Sequence, residues 1–195
     1  MTMMAPASTT LPLGTRMPDF TLTDVVSGAS ISPADFENRP ALLVMFLCNH
    51  CPYVVHLRKQ IGRLTRDYHA RGVGVIAINS NDVEAFPQDA PPLMAELVRE
   101  EGWQFPFVFD EDQRVAKAFL AACTPEFFVF DGQQRLMYRG QFDDSRPGRD
   151  VPVSGRDVRN ALDAILTQRP VLGEQKPSVG CGIKWKEGNA PPYIF

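Results

Sequence analysis

The chain alternates short apolar runs with amphipathic segments. Residues 41–47 form an uninterrupted apolar run, which is typical of a strand buried on both faces. Directly after it, apolar residues recur at steps of three and four from Val54 to Tyr68, which predicts an amphipathic helix that ends near Gly72. Residues 73–78, rich in β-branched side chains, predict a second buried strand.

The rest of the pattern predicts further strands and helices in alternation. Strands are expected over 19–23, 30–31, 105–109, 126–130 and 135–140, a helical turn over 32–36, and helices over 93–98, 115–122 and 158–165. Asp131-Gly132 is a strong hairpin signal between the last two strands. This order predicts the α/β class, with a central mixed sheet flanked by helices and an N-terminal hairpin extension.

The chain of 195 residues, 44% of them hydrophobic, is long enough for one domain with a sizeable core. Residues 1–13, rich in Pro, Ser and Thr, predict a flexible N-terminal arm before a domain over 14–169. Residues 170–195 shift to Pro, Gly and Lys but keep several large apolar side chains. We therefore expect this C-terminal tail to lie on the domain or on a partner subunit of a homodimer.

The charge balance gives no case for a nucleic-acid partner, because the net charge is −3 and the isoelectric point is near 5.6. The N-terminal residues lack the basic and apolar regions of a secretory signal, and no apolar run reaches membrane-spanning length. We expect a cytoplasmic protein with no membrane association. In that compartment a Cys-x-x-Cys pair is more often catalytic or metal-binding than structural.

The candidate chemistry lies where the run 41–47 delivers Cys48-Asn49-His50-Cys51 to a helix. If Cys48 caps that helix, unpaired backbone N–H groups and the helix dipole stabilise its thiolate and make it the attacking thiol. An imidazolium at His50 would favour the thiolate further, and Cys51 could resolve a mixed disulfide formed at Cys48. A zinc half-site and an inert thiol pair are the alternatives. Zinc needs about four ligands, and no second Cys-x-x-Cys is present, so we expect redox chemistry without metal or cofactor.

Four motifs carry a family resemblance: Gly14-x-x-Met17-Pro18-Asp19-Phe20-Thr21-Leu22, Cys48-x-x-Cys51, the segment from Thr124 to Gly132, and Tyr138-Arg139-Gly140. In this order the chain resembles thioredoxin-fold proteins of the redoxin branch, which includes thiol-disulfide oxidoreductases and the alkyl hydroperoxide reductase/thiol-specific antioxidant family. The resemblance implies a thioredoxin-like fold in which Thr124-Pro125 is a cis-proline loop facing the cysteines. It also implies that Asn49, Thr124 and Pro125 bind substrate, and that the Thr124 backbone pairs with an extended peptide.

Two departures from related families stand before the first cysteine. Peroxiredoxins carry Pro-x-x-x-Thr-x-x-Cys, whereas this chain has Ala41 and Met45 at the Pro and Thr positions. Thioredoxins carry a buried Asp six residues before the first cysteine, and here that residue is Leu42. The proton acceptor is therefore expected elsewhere, with Glu126, His50 and water as the candidates.

Two further cysteines extend the site. Cys123, beside the proline loop, is either a third redox thiol or a small buried side chain, and Cys181 in the tail either contacts the site, links subunits or fills space. The sequence predicts a thiol-disulfide oxidoreductase that exchanges electrons between Cys48-Cys51 and a protein or small-molecule disulfide, with a thiol system as electron donor. The alternatives are a thiol peroxidase and a non-enzymatic redox-sensing or metal-binding module.

Overall fold

The computed structural model describes residues 11–194, and a five-stranded mixed sheet lies at its centre. The sheet order is β5-β4-β3-β7-β8, in which β3, β4 and β5 run parallel while β7 and β8 run antiparallel to their neighbours. The strands are β1 Leu22–Thr23, β2 Ser30–Ile31, β3 Ala41–Phe46, β4 Gly74–Asn79, β5 Phe107–Phe109, β6 Cys123–Thr124, β7 Glu126–Asp131, β8 Leu136–Gly140 and β9 Cys181–Gly182. The helices are α1 Pro52–His69, α2 Pro91–Glu101, α3 Arg114–Ala118 and α4 Arg156–Leu166.

Strand β3 is the central strand because its side chains are apolar on both faces. All six residues are buried, and alternate residues enter two separate apolar clusters. Leu43 and Met45 pack with residues of α1, α2 and α4 on one face, whereas Leu42 and Val44 pack with α3 and the N-terminal segment on the other. The predicted α/β thioredoxin-like fold, with a mixed sheet between helices, is confirmed.

The N-terminal extension forms the short antiparallel hairpin β1–β2, followed by a 3₁₀ turn over Pro33–Phe36. The hairpin joins the edge strand β5 through a bridge between Asp24 and Val108. Leu11 is buried in the cluster on this face. Residues 1–10 of the predicted flexible arm lie outside the described residues.

Three elements are clearly shorter than the sequence pattern predicts. Strand β1 begins at Leu22 rather than at residue 19, β5 begins at Phe107 rather than at residue 105, and α3 ends at Ala118 rather than near residue 122. Helix α3 stops because Leu120 adopts a left-handed backbone conformation with φ of 52°, which a helix cannot continue through.

The C-terminal tail returns to the domain, where β9 pairs antiparallel with β6. Ile183 enters the apolar cluster on the α3 face. Gln113 anchors the tail further, because its side chain donates to the Lys184 carbonyl at 2.9 Å and accepts from the Lys186 N–H at 3.0 Å. Within residues 11–194, none of the helices combines the length and the apolar character that crossing a membrane requires.

Candidate active site

The loop after β3 carries both cysteines of the Cys-x-x-Cys motif into the interior. Cys48 and Cys51 are 1% and 0% exposed, so neither sulfur is the exposed nucleophile that the motif alone suggests. Helix α1 begins at Pro52, and the residue that caps it is Cys51. The expectation that Cys48 caps this helix is wrong, because proline is preorganised for the first helical position and sets the start there.

A buried carboxylate accepts hydrogen bonds from the backbone N–H groups that precede helix α1. Asp89, fully buried, accepts hydrogen bonds from the N–H groups of Asn49 at 2.8 Å and His50 at 3.2 Å. Its second oxygen accepts from the side-chain amide of Asn81 at 2.8 Å. The donors that were expected to stabilise a Cys48 thiolate therefore bind Asp89 instead.

His50 is oriented by the same carboxylate. Its Nδ1 lies 2.6 Å from Asp89 Oδ2, and its ring stacks on Phe86 with a centroid separation of 5.6 Å and an interplanar angle of 8°. A protonated His50 thus has its countercharge in Asp89. This pairing reduces the net positive charge that His50 was expected to present to Cys48.

The opposite wall of the site is the loop around Thr124-Pro125, whose peptide bond is cis as the sequence suggests. Thr124 contacts both cysteines: its Oγ1 lies 3.2 Å from Cys48 Sγ, and its carbonyl oxygen lies 3.2 Å from Cys51 Sγ. Asn49 lies between the cysteines, and its carbonyl accepts a hydrogen bond from Arg58. The structure therefore brings the cysteines, His50, Asn49 and the proline loop together.

The surroundings of the two sulfurs shift the pKa values of Cys48 and Cys51 in opposite directions. The neighbouring thiols of Cys181 and Cys48, and the Val54 N–H at the helix N-terminus, lower the pKa of Cys51. The contact with Cys51, burial and the nearby Asp89 charge raise the pKa of Cys48. The low-pKa thiol of the reduced site is therefore Cys51, not Cys48 as the sequence analysis expected.

The two additional cysteines occupy different environments. Cys181 lies in β9 directly opposite Thr124, and its side chain packs against the buried cluster that contains Cys48 and Cys51. Cys123 is buried beside Pro125 and Glu126, and burial raises the pKa of its thiol well above the usual range. Cys181 joins the Cys-x-x-Cys pair, whereas the contacts of Cys123 are those of a buried side chain.

Glu126 is the buried acid of this region and one of the expected proton acceptors. Its carboxylate accepts hydrogen bonds from the N–H groups of Ala122 at 2.9 Å and Cys123 at 3.4 Å. Burial outweighs these bonds and the charge of Arg139, and it raises the pKa of Glu126 to about 7. A carboxyl group with this pKa can both take and release a proton near neutral pH.

Cys48, His50 and Asp89 also present three potential metal-ligand atoms within 4.8 Å of one another. Four N–H or ring donors already occupy the two carboxylate oxygens of Asp89. A metal ion would have to displace some of these bonds, and a tetrahedral zinc site would also need a fourth ligand. The geometry therefore suits a carboxylate that holds the cysteine loop better than a metal ligand.

Sequence reasoning missed Asp89, Asn81 and Phe86. All three belong to the polar, proline-broken segment between β4 and α2, for which the sequence predicts neither a strand nor a helix. Asp89 lies 39 positions after His50, and no local motif links the two residues. Only the fold, which brings the segment after β4 beside the segment after β3, reveals the contact.

Together, the sheet topology, the cis-proline loop and the thiols beneath it define a thioredoxin-fold thiol protein. The Redoxin family model matches residues 12–158, and the chain belongs to the Redoxin family. No curated protein gives a significant match.

Solved structures of similar chains share this fold. An uncharacterized conserved protein from Geobacillus kaustophilus is 49% identical with a TM-score of 0.90, covering 93% of this chain and 96% of that one. A hypothetical protein from Sinorhizobium meliloti is 46% identical, also with a TM-score of 0.90, covering 93% and 98%. A thiol:disulfide interchange protein of the thioredoxin family from Chlorobium tepidum shares the fold, with 17% identity, a TM-score of 0.61, and coverage of 80% and 99%. Membership of the Redoxin family supports an oxidoreductase.

Proposed function

We propose that the protein is a thiol-disulfide oxidoreductase that exchanges electrons between the Cys48-Cys51 pair and a disulfide. The observation that carries the proposal is the contact of Thr124 with both sulfurs at 3.2 Å, at the N-terminus of α1. Two thiols in contact with each other, one of them with a lowered pKa, are the arrangement from which a reversible disulfide forms.

We assign the attack on the substrate to Cys48, because its sulfur lies within 4.8 Å of a ring nitrogen of the partly exposed His50. The Cys51 sulfur lies against the Thr124 carbonyl instead. Cys48 passes its proton to the contacting Cys51 sulfur and attacks a substrate sulfur, releasing the other substrate sulfur as a thiolate. Cys51, once deprotonated, attacks Cys48, closes the Cys48-Cys51 bond and releases the second substrate thiolate. Glu126 is our candidate for the final proton acceptor.

The substrate docking expected at Thr124 needs revision. The backbone edge of Thr124 is paired with Cys181 of the same chain, so an extended substrate peptide cannot add there while β9 is in place. A small disulfide can react without moving the tail, and a protein disulfide requires the tail to leave. Both remain within the proposed class, with a cellular thiol system as the source of electrons.

Replacement of Cys51 by Ser tests the mechanism directly. The variant should accumulate a mixed disulfide on Cys48 after incubation with oxidised glutathione, because the thiol that releases the product is missing. Mass spectrometry of the intact protein measures the adduct, with the Cys48→Ser/Cys51→Ser double variant as the control for modification elsewhere. Absence of an adduct in Cys51→Ser, or an equal yield in the double variant, would refute the mechanism.

A thiol peroxidase is the second candidate, favoured by the burial of Cys48. With 1% of Cys48 exposed and the Thr124 hydroxyl beside its sulfur, the site suits a small substrate with a polar oxygen. A hydroperoxide would oxidise the Cys48 thiolate to sulfenic acid and leave as an alcohol, and Cys51 would then form the disulfide with release of water. Rates of wild-type oxidation by hydrogen peroxide and by oxidised glutathione, measured side by side, separate the two functions.

A further inference from the structure

The C-terminal strand β9 occupies the edge of the proline loop. Cys181 pairs with Thr124, and the Ile183 N–H donates to the Ala122 carbonyl at 3.0 Å. Ahead of the strand, the Ser178 hydroxyl donates to the Gly140 carbonyl at 2.6 Å. The tail is therefore hydrogen-bonded to the domain on both sides of Cys181.

A glycine allows this close approach. A Cβ atom added at Gly180 would collide with the Thr124 carbonyl oxygen and lie 3.1 Å from Pro125 Cδ. On the other side of Cys181, a Cβ atom at Gly182 would meet nothing closer than the Ala122 carbonyl oxygen at 3.9 Å. The backbone contact that positions Cys181 thus depends on the missing side chain of Gly180 but not on that of Gly182.

The pairing places Cys181 beside the Cys-x-x-Cys pair. Cys181 packs against the buried cluster that contains Cys48 and Cys51, and the carbonyl oxygen of its partner Thr124 lies 3.2 Å from Cys51 Sγ. The thiols of Cys48 and Cys181 both influence the pKa of Cys51, which makes Cys51 the sulfur between the other two. Cys181 is partly exposed, whereas Cys48 and Cys51 are buried. Thiol-disulfide exchange needs one sulfur to reach a disulfide sulfur while the other sulfur leaves, and access governs its rate.

We propose that Cys181 is a third redox thiol, which receives the disulfide from the Cys48-Cys51 pair. In the step, the Cys181 thiolate attacks the Cys51 sulfur, the Cys51-Cys181 bond forms, the Cys48-Cys51 bond breaks, and Cys48 leaves as a thiolate. The number of disulfides is unchanged, so the step needs no oxidant or reductant. The inference rests on the proposed function of the Cys48-Cys51 pair, and it makes Cys181 the sulfur at which a reducing thiol enters.

The charges around Cys181 make its reactivity depend on the state of Cys51. In the reduced protein, the contact with Cys51 is the main cause that raises the pKa of Cys181, followed by burial. Once Cys51 belongs to a disulfide, it carries no negative charge and accepts no proton from Cys181. Burial and the nearby Cys123 then still raise the pKa of Cys181, whereas the nearby Lys184 lowers it. Cys181 thus gains thiolate character when its target has become a disulfide.

Disulfide mapping tests the proposed bond. The Cys48→Ser variant, oxidised with diamide, quenched with acid and digested, should yield a peptide that links Cys51 to Cys181. The Cys48→Ser/Cys181→Ser variant should lack this peptide. If Cys48→Ser gives no Cys51-Cys181 peptide, while wild-type protein forms Cys48-Cys51, the third-thiol proposal is refuted and the proposed function stands. If no disulfide forms in either protein, both fail.

The two glycines flanking Cys181 give a matched test that keeps every cysteine. In the Cys48→Ser background, Gly180→Ala should lose the Cys51-Cys181 peptide, whereas Gly182→Ala should keep it. Thermal unfolding of each variant shows whether the domain still folds. An equal yield of the linked peptide in the two variants would contradict positioning of Cys181 through the Gly180-Thr124 contact.

Discussion

Glu126 should make the stability of the protein fall as the pH rises towards neutrality. The side chain begins β7 in the interior, where its carboxylate accepts only the two backbone bonds from Ala122 and Cys123 among the described residues. Desolvation by burial is therefore the largest influence on the pKa of Glu126, and it raises this pKa from 4.5 to about 7. The isosteric change Glu126→Gln removes the ionisation.

The size and sign of the effect follow from this pKa. Between pH 4.5 and about 7 the folded protein binds more protons at Glu126 than the unfolded chain does. The stabilising contribution of the protonated group is complete below pH 4.5 and is lost as the pH rises through about 7. The shift corresponds to about 3 kcal/mol of unfolding free energy, since each pH unit is worth about 1.4 kcal/mol.

Urea unfolding of reduced wild-type and Glu126→Gln protein, measured from pH 4 to about 8.5, provides the assay. The unfolding free energy of the wild type should fall relative to that of Glu126→Gln, by about 3 kcal/mol over the whole range. Glu111→Gln, a change at an exposed position, controls for removal of one carboxylate from the chain. A constant difference between wild type and Glu126→Gln, or a difference that grows in favour of the wild type at high pH, would refute the reasoning.

Three further substitutions test the surroundings of the thiols and the anchoring of the tail. Asp89→Asn should cost about 3–5 kcal/mol of unfolding free energy in urea titrations, because an amide nitrogen cannot accept the bonds from buried donors. The same change should lower the pKa of Cys48, measured by iodoacetamide alkylation against pH, because the Asp89 charge raises it. Thr124→Val should instead raise the pKa of Cys48 in that assay, because the Thr124 hydroxyl lowers it. Gln113→Ala should remove tail anchors worth about 1 kcal/mol each and speed limited proteolysis of residues 181–189, whereas unchanged proteolysis would contradict the anchoring role.

The central elements of the fold were predictable because their sequences are locally unambiguous. The apolar run before the cysteines predicts a strand buried on both faces, and the three- and four-residue spacing from Val54 to Tyr68 predicts α1. Asp131-Gly132 predicts the turn between β7 and β8. The end of α3 was not predictable, because nothing in the sequence around Leu120 indicates that this residue adopts a left-handed backbone conformation.

The candidate site was predictable only in part, because its chemistry depends on distant segments. The motifs place Cys48, Cys51 and the proline loop correctly, since each motif is local. The protonation pattern depends on Asp89, which the motif does not contain, and on Pro52, which moves the helix start past Cys48. The tail composition predicts packing, but the register that sets Cys181 opposite Thr124 requires the folded chain.

The cysteine loop and the tail are physically connected through a short hydrogen-bond chain. Asp89 holds His50 and accepts from the Asn81 side-chain amide, and the Asn81 side-chain Oδ1 accepts from the Lys184 N–H at 2.9 Å. Phe86 lies alongside this chain, with His50 stacked on its ring and the Lys184 ammonium 5.5 Å from its centre. Since Asn81 donates to one end and accepts from the other, the tail cannot leave without changing the polar contacts that support Asp89. These hydrogen bonds thus link the tail to the carboxylate whose charge raises the pKa of Cys48.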